Sequence, residues 1–328
     1  PDAPVLLGGV YARLCRSHAL ACSGADYVAK TGDTFPPESL IDTLARLGVP
    51  RPASPLQNVP PPYPAFDLLH RPEYVCIATS WGCPYRCSYC ASPFLQPSFI
   101  QRDTEEVLDE ILYWHRHLGI RDVAFYDDAL LVNADTHLNV LLEKVLSKAP
   151  KLRFHTPNAL HIRELSTETA RLLRKSGFRT IRLGLETSDP SLRGKLDDKV
   201  EKGDFEHAVR ALRQAGYGRR EIGVYVLLGL PGQSVASVRK TLETVDRAGA
   251  VPYLAEYSPM PHTKLWKRAV QASSWDLSEP LYHNNTLIPC WSDPERSRAS
   301  ELRAYARVIR APRAGEPDGL GAASCGFS

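Results

Sequence analysis

Between residues 73 and 257, short apolar runs alternate with longer stretches in which apolar residues recur every three or four positions. Short runs of this kind are typical of buried strands, and the longer periodic stretches are typical of amphipathic helices. The predicted strands are 74–78, 122–126, 152–155, 180–185, 222–228 and 251–257. The predicted helices are 104–117, 135–148, 166–176, 204–215 and 235–248. This alternation indicates an α/β protein with a parallel sheet. Six units are too few to close an eight-stranded barrel, so we predict an open (β/α)6 partial TIM barrel.

A shorter alternation comes before the barrel pattern. Apolar runs at 4–9 and 25–29 are each followed by a helical stretch, at 11–20 and at about 36–47. Two strands and two helices are too few for a doubly wound sheet, which needs helices on both faces. We therefore predict a remnant of a Rossmann-like α/β domain. Because the first residue is Pro1 rather than methionine, we expect the chain to begin inside that domain.

These patterns divide the chain into four parts. Residues 1–49 are predicted to be the end of the α/β domain, and 73–270 the barrel. Between Pro50 and Pro72 there are eight prolines in 23 residues, which predicts an extended linker. Residues 271–328 are predicted to be an extension with one helix, 295–309, and a frayed tail from Pro312.

The composition limits the class of protein. Hydrophobic residues make up 43% of the chain and charged residues 23%, which is ordinary for a soluble globular protein. A net charge of +3 is too small to indicate binding to nucleic acid or to an anionic membrane. Apolar runs stay well short of the ~20 residues that a membrane helix needs. The eight cysteines do not form a disulfide scaffold, and we expect a reducing, cytoplasmic location.

Three of the cysteines lie together on the loop after the first barrel strand. Cys83, Cys87 and Cys90 have the spacing C-x3-C-x2-C. Thiolates on one loop suit soft metals and iron–sulfur clusters. A zinc site is the main alternative, but it needs a fourth ligand, for which His70 and Cys76 are the nearest upstream candidates. Disulfide pairing would leave one thiol over.

With Tyr89 directly before the third cysteine, the motif resembles that of the radical S-adenosylmethionine (radical SAM) superfamily. The resemblance extends over about residues 73–270 and implies a [4Fe-4S] cluster on the three cysteines. The open iron would bind S-adenosylmethionine, and its reductive cleavage would give a 5′-deoxyadenosyl radical that abstracts hydrogen from a substrate. The resemblance also implies an electron donor such as flavodoxin or ferredoxin.

Polar or unusual residues follow every predicted barrel strand, where the active sites of parallel barrels lie. Asp128 is the first choice for the ammonium group of S-adenosylmethionine, since the resemblance implies a carboxylate there. The full set implied for S-adenosylmethionine is Tyr89, Asp127, Asp128, Glu186, Val226, Leu228 and Gly229. The candidates for substrate contacts or catalysis, all expected at the same mouth, are Tyr126, His155, Asn158, His161 and Tyr257. Gln233 stands where the family usually has glutamate, and His262 where it usually has glycine.

The N-terminal stretch Ala25-Asp-Tyr-Val-Ala-Lys-Thr-Gly32 is similar to the end of the cobalamin-binding domain that precedes many radical SAM barrels. The similarity makes cobalamin a candidate cofactor, although the D-x-H-x-x-G motif of many members is absent from these residues. The expected function is radical modification, by methylation or rearrangement, of a small-molecule or unknown substrate. The alternative is a non-catalytic zinc- or SAM-binding module on a barrel scaffold.

Overall fold

A computed structural model describes residues 3–29, 38–51, 62–149, 151–196, 200–201 and 203–316. Its main element is a six-stranded sheet in which every neighbouring pair of strands is parallel. The strands, in chain order and in spatial order, are β1 (Tyr74–Ile77), β2 (Asp122–Phe125), β3 (Arg153–His155), β4 (Phe178–Glu186), β5 (Ile222–Leu228) and β6 (Val251–Glu256). Because β1 and β6 form the two edges, the barrel is open, and the predicted fold class is confirmed.

Helices follow the strands and cover the outer face of the sheet. They are α1 (Thr104–Leu118), α2 (Leu138–Lys148), α3 (Thr167–Ser176), α4 (Asp204–Gln214), α5 (Val235–Arg247) and α6 (Ala299–Arg310). Asp103 caps the first helix, since its side chain accepts from the Glu105 amide at 2.8 Å. Gly177 ends α3 with a φ of 94°, as a left-handed C-cap does.

The core lies between the sheet and these helices. Phe125, Phe154 and Phe178 come from β2, β3 and β4, and the centroids of neighbouring rings are 5.3–5.9 Å apart. All three rings are almost completely buried. Alternate residues of each strand therefore face the helices, and the residues between them face the inside of the open barrel.

The sixth helix of the outer layer comes from the C-terminal extension. α6 packs against β6 and α5 and buries Leu302, Ala306 and Ile309 in the main core. The sequence predicted one helix over 295–309, whereas the structure has a short helix, Asp293–Ser297, and then α6. The barrel boundary at residue 270 stays a prediction, and most of the predicted frayed tail, 317–328, lies outside the described residues.

The N-terminal segment forms a small parallel unit of its own. Strands Leu6–Leu7 and Tyr27–Val28 pair in parallel across the helices Gly9–Leu14 and Arg16–Cys22. The helix predicted over 11–20 is thus two short helices, and a third, Glu38–Arg46, follows residues outside the described range. The unit contacts the segment that follows β6, where His262 Nε2 lies 3.1 Å from the carbonyl oxygen of Leu14.

Shorter elements connect these parts. Two short strands, Ser80–Trp81 and Ile100–Gln101, pair antiparallel beside the cysteine loop. The remaining short α-helices are Ser92–Leu95, Pro190–Leu196 and Trp266–Ala272. The 3-10 turns are Phe66–Leu68, Ala134–Thr136, Ile162–Glu164, Arg219–Glu221, Pro280–His283 and Asn285–Leu287. Within the described part of the predicted linker, Phe66 packs edge-on against Trp114 of α1 at 5.3 Å. No helix of the described chain is long and apolar enough to cross a membrane.

Candidate active site

A pocket of about 220 Å³ opens at the carboxyl ends of β1 to β4. All three cysteines of the motif line it, together with residues from the loops after β2 and β3 and from the end of β4. The lining residues are Cys83, Tyr85, Cys87, Tyr89, Cys90, Ser92, Asp128, Asn158, Ala159, His161 and Glu186. The fold therefore gathers residues that are more than 100 positions apart in the chain, as the carboxyl edge of a parallel sheet is expected to do.

Hydrogen bonds from the end of β1 hold the start of the cysteine loop. The Asp127 carboxylate accepts from the Thr79 amide at 3.0 Å and from the hydroxyls of Thr79 and Ser80, each at 2.7 Å. Burial raises the pKa of Asp127, and the hydrogen bonds from Ser80 and Thr79 partly offset that rise. Asp127 thus ties the end of β2 to the segment that leads into the motif, and its carboxylate is not among the groups that line the pocket.

Close backbone packing shapes the loop itself. Gly82 has a φ of 76°, and a Cβ there would lie 2.5 Å from the carbonyl oxygen of Ser98. Ser88, between the second and third cysteines, donates its amide to the Leu196 carbonyl at 2.7 Å and accepts from the Leu265 amide at 2.9 Å. The loop is therefore held between the segments that follow β4 and β6.

Polar groups lie beside two of the three thiols. Cys90 Sγ accepts from the Ser92 amide at 3.4 Å, and the ring nitrogen Nε2 of His161 lies 3.8 Å from Cys83 Sγ. Such groups are the usual neighbours of cluster thiolates. Among the described residues, no three His, Cys, Asp or Glu side chains converge as they would on one ion. Three thiols at one pocket, with these neighbours, fit the iron–sulfur cluster that the motif implies.

The two upstream residues considered as a fourth zinc ligand lie away from this pocket. His70 is exposed on the approach to β1, and Cys76 lies within β1, where its side chain hydrogen-bonds with Tyr126. Neither side chain lines the pocket.

Two carboxylates face the thiols across the pocket. Glu186 ends β4 and is 7% exposed, with a φ of 63° next to an irregularity in the pairing of β4 with β5. A positive φ is uncommon for a side chain other than glycine and often marks a functional site. Asp128 is exposed at the rim. Both are placed to accept hydrogen bonds from the ammonium or hydroxyl groups of a bound ligand.

Asn158 also lines the pocket, and the backbone fixes its orientation. Its side-chain amide donates to the carbonyl oxygens of Tyr126 and Asp127 at 3.0 and 3.2 Å. The amide oxygen is therefore the group left for a ligand. Tyr126 itself is 43% exposed and does not line the pocket.

Several candidates are turned away from the pocket. His155 ends β3, and its buried ring is held by other residues of the sheet: its nitrogens lie 3.0 Å from Asp122 Oδ1, at the start of β2, and 3.0 Å from Thr180 Oγ1 of β4. Val226 and Leu228 are completely buried among the core residues between sheet and helices. We expected them to face the adenine, but the alternation along β5 gives them the outer face.

The remaining two candidates are Tyr257 and Gly229. Tyr257 is buried with Leu227, Leu230 and Cys290 in a separate apolar cluster, and burial raises its pKa. Gly229 has a φ of 94° and begins the turn after β5. Neither of them lines the pocket.

Sequence reasoning did not select Tyr85, Ser92 or Ala159 as lining residues. Tyr85 lies between the first two cysteines, so its position inside the motif could have identified it as a lining residue. Ala159 follows Asn158 by one residue, but it carries no reactive group, and only the folded chain shows that it borders the pocket.

A family model described as the radical SAM superfamily matches residues 77–245, which is just over half of the chain. The chain belongs to the radical SAM superfamily. Members of this superfamily use a [4Fe-4S] cluster and S-adenosylmethionine, so both cofactors predicted from the motif are confirmed for the family.

Curated relatives resemble the chain at low identity. An uncharacterized methyltransferase, PH0819 of Pyrococcus horikoshii, is 24% identical over 67% of this chain and 49% of its own length. The hopanoid C-2 methylase of Rhodopseudomonas palustris is 27% identical over 63% of this chain and 40% of its own length. The chain thus spans about half, or less, of these relatives.

Among solved structures, the radical SAM methyltransferase TsrM of Kitasatospora setae, with cobalamin and a [4Fe-4S] cluster bound, gives a TM-score of 0.53 at 24% identity. The match covers 61% of this chain and 40% of TsrM. At this identity the comparison supports the fold.

Proposed function

We propose that the protein is the catalytic core of a radical SAM enzyme in which Cys83, Cys87 and Cys90 hold the [4Fe-4S] cluster and the adjoining pocket binds S-adenosylmethionine. The observation that supports this most directly is that all three thiols of the motif line the same pocket as Asp128 and Glu186. A [4Fe-4S] cluster held by these three cysteines would supply the electron for reductive cleavage of the sulfonium, which yields methionine and a 5′-deoxyadenosyl radical.

The chain's own residues bind and orient the cofactor. Asp128 and Glu186 accept hydrogen bonds from the ammonium group and the ribose hydroxyls of S-adenosylmethionine. Asn158, whose NH₂ group is already used, offers its amide oxygen to the same ligand. Tyr85 and Tyr89 form aromatic walls that exclude water from the pocket.

Asp127 acts on the ligand only indirectly, through the cysteine loop. By accepting from Thr79 and Ser80 it holds the strand end from which the motif begins. Asp127 is therefore proposed as a positioning residue, which differs from the direct contact with S-adenosylmethionine that the motif comparison implied.

Anaerobic assay tests this proposal. The protein is reconstituted with iron and sulfide, then given S-adenosylmethionine and either a chemical reductant or a flavodoxin or ferredoxin as proposed donor. We expect 5′-deoxyadenosine, detected by mass spectrometry, from the wild type and from Cys22→Ala, because Cys22 is exposed in the N-terminal unit. Cys87→Ala should give none. One zinc per chain and no iron, or S-adenosylmethionine binding without product from an iron-loaded protein, would instead favour the non-catalytic alternative.

Cobalamin-dependent methyl transfer is the more specific reaction that we propose. The relatives named as a methyltransferase and a methylase support it, as does the position of the N-terminal unit. Helix Gly9–Leu14 packs near Ser92–Leu95, the helix that directly follows the cysteines. A second domain at this place would lie beside the pocket mouth.

Cobalamin binding is tested separately. The protein is incubated with hydroxocobalamin and passed through a gel-filtration column, and the visible spectrum of the protein peak is recorded. We expect retained corrin absorbance, and methyl transfer from S-adenosylmethionine to acceptors related to those of the relatives. A protein that makes 5′-deoxyadenosine but retains no corrin would favour rearrangement or another radical reaction without cobalamin.

A further inference from the structure

His161 lines the pocket and also contacts the cysteine motif. The residue is 7% exposed, and Nε2 is 3.8 Å from Cys83 Sγ. A thiolate bound to iron can only accept a hydrogen bond, so the complementary form of the ring carries its proton on Nε2. The contact is thus a side-chain N–H directed at the first cysteine of the motif.

Two features fix the ring in this position. Tyr85, two residues after Cys83, stacks on the His161 ring with centroids 4.7 Å apart and planes 24° apart. The Tyr85 hydroxyl donates to Glu164, which lies in the turn that begins just after His161. The motif and the loop after β3 therefore hold each other through a stack and a hydrogen bond.

The backbone on the other side is equally constrained. Leu160 pairs with Leu183 of β4, its amide donates to the Arg182 carbonyl at 2.7 Å, and its carbonyl accepts from the Gly184 amide at 3.3 Å. His161 thus projects from a segment that continues the sheet, and a rigid support of this kind is what a precise contact requires.

We propose that His161 donates a hydrogen bond from Nε2 to the Cys83 thiolate and thereby raises the reduction potential of the [4Fe-4S] cluster. This inference rests on the proposed cluster ligation. A reduced cluster carries one more negative charge than an oxidised one, so an N–H directed at its sulfur stabilises the reduced form more. Cys90 has a backbone donor, the Ser92 amide, whereas the donor beside Cys83 belongs to a side chain and can be changed by mutation.

The test compares three variants of the reconstituted holoenzyme. His161→Phe keeps an aromatic ring on Tyr85 but removes the N–H. His161→Gln keeps an N–H near the position of Nε2 but removes the ring. Tyr85→Phe keeps the stack and removes only the bond to Glu164. Iron and sulfide per chain are measured first, and cluster reduction is then followed by electron paramagnetic resonance during a redox titration.

We expect His161→Phe to lower the ratio of reduced to oxidised cluster at a fixed potential by about tenfold, which is a shift of about 59 mV to more negative potential for one electron. His161→Gln should stay near the wild type, and Tyr85→Phe should shift less than His161→Phe. If the hydrogen bond is responsible, the potential shifts should follow this order. A purely structural role would alter iron content or stability, and His161→Phe and His161→Gln would then have similar potentials.

The outcomes separate this inference from the proposed function. If the wild type assembles a cluster and the potential of His161→Phe is unchanged, the inference is wrong and the proposed function stands. If His161→Gln shifts as far as His161→Phe, the ring matters through packing and the hydrogen-bond role is overturned. If the wild type assembles no [4Fe-4S] cluster, the proposed function fails and this inference fails with it.

Discussion

The two halves of the barrel mouth use their strand ends differently. At the carboxyl ends of β1, β2 and β4, the cysteines, Asp128 and Glu186 open into the pocket. At the end of β5, Gln233 is 2% exposed and is used within its own turn, accepting from the Gly229 amide at 2.9 Å and donating to the Leu227 carbonyl at 2.8 Å.

The Gln233 amide explains a departure from the family pattern. Its oxygen accepts and its nitrogen donates, and both ends are paired within one turn. An ionised glutamate could not donate to the Leu227 carbonyl, because both of its oxygens only accept. The Gln233 side chain therefore stabilises the β5 turn itself. Polar residues after a strand can serve a ligand or the chain itself, and only their partners distinguish the two roles.

The largest expected difference between the halves concerns cofactor binding. Glu186→Gln should weaken the binding of S-adenosylmethionine by roughly 10- to 100-fold, because hydrogen bonds to a charged group contribute about 1.5–3 kcal/mol. Isothermal titration of the reconstituted protein measures this. Glu256→Gln is the matched control, since Glu256 ends β6 and pairs with Arg303 at 3.0 Å. Equal losses of S-adenosylmethionine affinity in Glu186→Gln and Glu256→Gln would contradict the proposed difference between the two halves.

A second prediction separates the two neighbouring aspartates after β2. Asp127→Asn should lower the free energy of unfolding by about 2–3 kcal/mol, because the Thr79 and Ser80 donors lose a charged acceptor. Asp128→Asn should change it by less than about 0.5 kcal/mol, since the side chain is exposed, while weakening S-adenosylmethionine binding. Urea unfolding of the apoprotein measures stability. A stable Asp127→Asn protein would contradict the role of this carboxylate as a brace.

On the β5 side, Gly229→Ala should reduce stability without affecting the cofactor. The positive φ and a Cβ placed 2.6 Å from Ile288 Cγ2 together should cost about 1–3 kcal/mol. Gly249→Ala is the control, because its φ is also positive, at 82°, but a Cβ there meets nothing within 4 Å. We expect a smaller loss from Gly249→Ala, of about 1 kcal/mol. If Gly229→Ala abolished S-adenosylmethionine binding in a folded protein, the β5 turn would belong to the site after all.

The smallest effect is expected at Tyr257. Its hydroxyl is buried and finds no hydrogen-bond partner among the described residues. Tyr257→Phe should therefore leave the free energy of unfolding within about 0.5 kcal/mol, or raise it slightly, because a buried polar group without a partner is removed. Production of 5′-deoxyadenosine should be unchanged. A loss of activity at normal stability would restore Tyr257 as a catalytic candidate.

The sequence by itself determined the parts of this protein that depend on local pattern. Strand and helix periodicity predicted six parallel units, and C-x3-C-x2-C predicted the cysteine centre, because both signals are carried by residues close together in the chain. Glu186 and Asn158 were found by the rule that sites lie at the carboxyl ends of parallel strands, and both line the pocket.

Tertiary structure decided what each strand-end residue contacts. Two adjacent aspartates look alike in sequence, yet Asp127 is held by Thr79 and Ser80 while Asp128 reaches the pocket. Val226 and Leu228 face the helices because a shift of one residue along a strand reverses the face. His161 meets Cys83 across 78 residues of sequence, a contact that only chain folding brings about. α6 likewise joins β6 from outside the predicted barrel, because buried apolar surface on a strand can be covered by any segment that reaches it.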